Sequence, residues 1–137
     1  IITTNAYTIN FVHTGVTQQA HFTSIKAEKD QSEFDLSGFT PQYIDGFSAP
    51  FVQESTVKMG LNFVEEIPIK ANNTSLMIGQ VEHVILPDNV KDQDFMLNLE
   101  ELNVAGISGL NTYYKLQKTA FYPYVKDHFD MDDLIIE

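Results

Sequence analysis

"NNTSLMIGQVEHVILP", residues 72–87, reads as a turn that opens a strand too long to stay straight. Asn72 and Asn73 suit the positive φ values of a tight hairpin. From Thr74 to Leu86 the side chains alternate. One face carries Ser75, Met77, Gly79, Val81, His83 and Ile85; the other carries Thr74, Leu76, Ile78, Gln80, Glu82, Val84 and Leu86. The run is about twice the ~5–6 residues usual for a strand, which predicts a bend, and Gly79 is the natural place for it. Long, bent antiparallel strands typify small barrels in which one strand serves two sheet halves. The second face is apolar at both ends, at Leu76, Ile78, Val84 and Leu86, which predicts a subunit interface and a homodimer.

The strand before it is "STVKMGLNFVEEIPI", residues 55–69, with Val57, Met59, Leu61 and Phe63 on one face and Lys58, Gly60 and Asn62 on the other. Pro68 predicts that its far end lies at a sheet edge or bulge. Working outward, "AYTINFV" at 6–12 alternates as a strand, and "VTQQAHFTSI" at 16–25 predicts a short helix with Thr14 as N-cap. Residues 26–50 are polar, punctuated by Gly and Pro, and read as a long, mostly irregular excursion. Residues 87–102 read as a loop with a short "FMLNLEEL" element, and a glycine-rich turn at 106–109 leads into the aromatic cluster Tyr113, Tyr114, Phe121, Tyr122 and Tyr124. The expected organisation is one mainly β domain, residues 1–126, followed by an acidic tail at 127–137.

Charge and composition exclude several functions. The net charge of −11 argues against nucleic acid and against an anionic membrane surface. All eight basic residues are lysines, so no guanidinium is available to clamp a phosphate. Without cysteine there is no disulfide, thiol nucleophile or thiolate metal site. No apolar run approaches the ~20 residues of a membrane helix, and a cytoplasmic location is the expectation. The chain begins Ile1-Ile2-Thr3-Thr4 and its first methionine is Met59, which predicts that an upstream segment is missing.

The obvious chemical motifs weaken on inspection. Glu82 and His83 are strand neighbours, so their side chains diverge and cannot act as a pair. The four histidines show no metal-ligand spacing, and no metal is expected. "DHFDMDD" lacks the central glycine and terminal glutamate of a calcium loop. "GISG" is neither a P-loop nor a nucleophile elbow. Asn72-Asn73-Thr74 is a glycosylation sequon that a cytoplasmic protein leaves unused.

Six stretches in order carry more information: "YTINFV", "QQAHFTS", "SEFDLSGFTP", "APFVQESTVKMGLNF", "LMIGQVEHVILP" and "SGLNTYYKLQKTAFYPYVK". Together they resemble the flavin reductase-like proteins with the FMN-binding split-barrel fold, particularly the flavoredoxin-type branch, over about residues 5–126. The resemblance implies a Greek-key split β-barrel with short peripheral helices, here lacking its N-terminal strands. It also implies a dimer that binds FMN near its interface and either reduces flavin with NAD(P)H or carries electrons for a redox partner protein.

Three regions are implied to lie near the flavin. The first is His21, Thr23 and Ser24. The second is the turn at Thr74, where many relatives place a histidine. The third is "SGLNTYY", where Asn111 and Tyr114 replace an acid and a histidine of close relatives. Tyr114 is either a stacking partner for the isoalloxazine ring or a core or interface aromatic. No catalytic side chain is assigned, because the cofactor carries the redox chemistry in such enzymes. The alternative reading is a non-catalytic split-barrel interaction module, a truncated or degenerate relative without flavin.

Overall fold

The computed structural model describes residues 1–88 and 96–122. Its elements are β1 (Ala6–Asn10), a 3-10 turn (Thr14–Val16), α1 (Thr17–Phe22), α2 (Glu33–Ser37), β2 (Pro41–Ile44), β3 (Phe47–Val52), β4 (Lys58–Ile69), β5 (Thr74–Ile85), β6 (Ala105–Ser108) and β7 (Thr112–Lys115). The acidic tail expected at 127–137 lies outside the described residues, as do 123–126.

The long hairpin is the frame. β4 and β5 pair antiparallel from Lys58↔Ile85 to Ile69↔Thr74, and β1 adds to the other side of β4 from Asn10↔Lys58 to Ala6↔Asn62. Asn73 takes a φ of 56°, the left-handed conformation expected at the turn. Beyond Asn62, among the described residues, no strand lies beside the outer edge of β4, and Pro68 sits on that stretch, where a missing N–H costs little.

The expected bend is made by two bulges that bracket Gly79. Gly60 pairs with His83 and Leu61 with Val81, so Glu82 is an extra residue. Phe63 pairs with Gly79 and Glu65 with Ile78, so Val64 is another. The first bulge corrects the expected faces of β5. His83 and Ile85 turn to the core, where His83 meets the Phe47 ring edge-on, while Gly79 lies on the opposite face against Tyr7. Simple alternation cannot survive an inserted residue, because one extra residue inverts the side-chain parity. Leu86, expected on the dimer face, instead packs against the buried Val57, Leu102 and Val104.

Residues 26–50, expected to be mostly irregular, carry α2, β2 and the start of β3, and only the stretch before Glu33 lacks regular structure over any length. Ser32 caps α2 by accepting the Phe34 N–H at 3.2 Å, and Gly38, at φ 72°, ends it. β2 and β3 form a hairpin closed by Asp45-Gly46, with Ile44 opposite Phe47. Phe47, Ala49 and Phe51 alternate into the core beneath β1 and β4, and Phe51 is fully enclosed. Such burial contributes roughly 1.5–3 kcal/mol for a side chain of this kind.

Polar side chains bolt this hairpin to the sheet. The Thr8 hydroxyl donates to the Pro50 carbonyl at 2.8 Å, and Asn10 Oδ1 accepts the Val52 N–H at 2.9 Å. Lys58, only 4% exposed, donates to Gln42 Oε1 at 2.6 Å and to the Gln53 carbonyl at 3.0 Å. Burial pushes the Lys58 ammonium below its ordinary pKa, against the pull of the Glu54 charge. Burial opposes ionisation of Glu54 too, but hydrogen bonds with Thr40 and with its own backbone, together with the Lys58 charge, outweigh it and hold the carboxyl below its ordinary value.

The first helical segment is shorter than expected. His13, not Thr14, caps it: its Nδ1 accepts the Gly15 N–H at 3.2 Å. α1 stops at Phe22, where the Thr23 hydroxyl donates back to the Ala20 carbonyl at 2.7 Å. β6 and β7 form a small hairpin, joined to the end of β1 by the Ala105 N–H to the Val12 carbonyl. The protein is mainly β, and its described residues form antiparallel sheets of three, two and two strands that do not close into a barrel. Among the described residues, no strand pairs with the outer edges of β1 and β5. No described helix is long and apolar enough to cross a membrane.

Candidate functional site at the end of helix α1

Three of the implied site residues come together because α1 ends early. His21 lies in its last turn, Thr23 caps it, and the Ser24 N–H bonds the His21 carbonyl at 3.1 Å. All three side chains are exposed. Tyr113 comes against His21 from β7. Its ring meets the His21 imidazole edge-on, with centroids 6.0 Å apart and planes at 89°, and its hydroxyl lies 3.4 Å from His21 Nδ1. That hydrogen bond is long, so the contact is chiefly one of ring edge to ring face.

The other implied residues lie elsewhere. Tyr114 follows Tyr113 in β7, so its side chain stands on the opposite face of the hairpin, across from Gly106. It is about half exposed. Asn111, at the hairpin tip, accepts the Thr112 hydroxyl at 3.2 Å. Thr74 opens β5 and donates to Asn72 Oδ1 at 2.7 Å. It pairs with Ile69, at the far end of β4 from Lys58 and β1, and the rise of a strand puts these ends about 35 Å apart. The single chain therefore gathers His21, Thr23 and Ser24, and leaves Asn111, Tyr114 and Thr74 on other surfaces.

Behind α1 lies a cavity of about 240 Å³, walled by Phe11, Val16, Phe39 and Val52 and bordered by Thr23. Among the described residues no group of three or more acidic or histidine side chains converges as a metal cage.

The flavin reductase like domain matches this sequence over residues 1–105. This chain belongs to the flavin reductase-like family. A split-barrel protein of Shewanella frigidimarina NCIMB 400, assigned as a flavin reductase, is similar to it with a TM-score of 0.86 and 40% identity. The match covers 89% of this chain and 62% of that one. Nitrilotriacetate monooxygenase component B of Bacillus cereus shares the fold at 20% identity and a TM-score of 0.74, over 85% of this chain and 59% of that one. Flavoredoxin of Desulfovibrio vulgaris does so at 18% identity and 0.73, over 97% and 68%. No curated protein matches. The flavin reductase-like chain thus spans about three fifths of the length of the Shewanella protein.

The residues present fit a flavin in part. An exposed imidazole, two exposed hydroxyl side chains and the half-buried Tyr113 suit a flat, polar-edged ring, and within this chain, which has no arginine, only hydroxyls, N–H groups or lysines could meet a phosphate. Sequence reasoning missed Tyr113. Alternation shows that one of two adjacent strand tyrosines faces α1, but only the tertiary fold shows which.

Proposed function

We propose that this chain forms the core of an FMN-dependent oxidoreductase, active as a homodimer, fed by NADH or NADPH or by a redox partner protein. Family membership supports the flavin reading. The observation that carries the dimeric form is the separation of the candidate residues. Thr74 lies at the far end of the long hairpin and Tyr114 faces away from the His21–Tyr113 contact, so a flavin that touched all of these residues would lie between two copies. In that arrangement His21 and the hydroxyls of Thr23 and Ser24 hold one edge of the ring, and Tyr114, with Asn111 and Thr74 nearby, covers it from the other copy.

The apolar arm of β4 and β5 supplies the surface that joins the copies. Ile67 and Leu76 pair across it and are both exposed, as are Val64 and Ile78. When bound, FMN would supply the redox chemistry, accepting hydride and passing electrons on. The chain's part is to orient the ring, to offer polar groups to its edge, and to keep water from its face. Anaerobic addition of NADH or NADPH to the FMN-loaded full-length protein tests the reductase assignment. Bleaching of the visible flavin band is expected with one of the two; bleaching with neither leaves only the partner-fed role.

The alternative, a non-catalytic interaction module, draws on the same separation, since a solitary chain holds no complete site. Failure to bind FMN at all would favour it.

A further inference from the structure

We propose that the cavity behind α1 binds an uncharged aromatic molecule of one or two rings. The cavity lies between the end of β1, the helical segment and the end of β3, and it does not depend on the flavin reading. Its size comes first. Apolar cavities of about 150 Å³ accept benzene, and pockets for larger ligands run about 300–1,000 Å³. At about 240 Å³ this one suits a substituted monocycle or a fused bicycle, and is too small for a flavin nucleotide.

The wall chemistry sets the class. Phe11 and Phe39 offer ring edges and faces, Val16 and Val52 complete the apolar surface, and no charged side chain lines the cavity among the described residues. The polar neighbours each make hydrogen bonds within the protein. Asn10 Oδ1 accepts the Val52 N–H and its Nδ2 donates to Thr8 Oγ1 at 2.9 Å. Ser55 Oγ lies 2.7 Å from the Phe11 carbonyl and 2.9 Å from that of Val57, and the Thr23 hydroxyl donates to Ala20. A half-open pocket with mainly apolar and aromatic walls favours an apolar ring, and disfavours a charged ligand that would lose part of its solvation.

The chain contains no tryptophan, so indole added to the full-length protein reports on its own environment by fluorescence excited to the red of tyrosine. The expected result is a saturable blue shift with a dissociation constant of about 0.1–1 mM, and binding of indole-3-acetate at least about tenfold weaker. Ala20→Leu and Val16→Phe, which fill the cavity, should each weaken indole binding at least about tenfold with an unchanged circular dichroism spectrum. If one variant fails to fold, the other decides. Signal that does not saturate, affinity unchanged in a folded cavity-filling variant, or equal affinity for indole-3-acetate would overturn the proposal.

Discussion

Gly79 lies directly against the ring of Tyr7, so close that a β-carbon on residue 79 would stand 2.8 Å from the ring carbons Cε1 and Cζ and closer still to the hydroxyl. Glycine is required there by contact, not by backbone angle. Gly79→Ala should therefore destabilise the protein by about 1–3 kcal/mol in urea unfolding, as overpacking does. Combining it with Tyr7→Leu should recover part of that loss beyond additivity, because the two positions share one clash. A neutral Gly79→Ala would show that the two residues are not in contact.

The Glu54–Lys58 region makes stability depend on pH with a fixed sign. The Glu54 carboxyl is held below its ordinary value of 4.5, so it contributes stability that is present above that pH and is lost as pH falls through the lower folded value. The Lys58 ammonium is also lowered, from 10.5, so for this cation the unfolded state binds protons more tightly. Its contribution therefore grows as pH rises through the folded value towards 10.5. Thermal melts should show Glu54→Gln flattening the acid limb and Lys58→Met flattening the alkaline rise. An acid limb unchanged by Glu54→Gln would count against the Thr40 contact.

Most of the frame was legible in the sequence, and the failures have definite causes. The β4–β5 hairpin, its turn at Asn73 and the bend near Gly79 follow from alternation and from residues with unusual backbone freedom. The faces beyond Glu82 did not follow, because a bulge is a tertiary compromise that leaves no local mark. The β2–β3 hairpin carried the Asp45-Gly46 signal and the Phe47, Ala49, Phe51 alternation, but Pro41 and Pro50 made the run look like a loop. At the site, the residues near α1 share one short segment of sequence, while the contact of Tyr113 with His21 is made by tertiary packing that no local pattern marks.

An intersubunit site makes a distinctive prediction about mixtures. His21→Ala and Tyr114→Ala should each raise the FMN dissociation constant about fivefold or more, the worth of one aromatic or hydrogen-bonding contact. Mixed and allowed to exchange, half the dimers carry one of each, and each such dimer keeps one site with both residues. About a quarter of all sites should then bind FMN normally. If the mixture stays at the level of the separate variants, both residues serve one chain's site.

The arm offers a second test of the same arrangement. Leu76 and its cross-strand neighbour Ile67 are exposed in the single chain. Leu76→Lys places a charge on this surface without touching the core, and should convert the dimer to a monomer at micromolar concentration. Sedimentation equilibrium reads this directly. A wild-type monomer, or a variant that remains dimeric, would remove the arm from the interface.

The central claim is that this chain holds FMN, and a fluorescence titration of FMN with the full-length protein tests it most directly. The account predicts saturable quenching of flavin fluorescence with one FMN bound per chain, weakened by His21→Ala. Fluorescence that stays unchanged at every protein concentration, with a protein that elutes colourless after incubation with FMN, would contradict it.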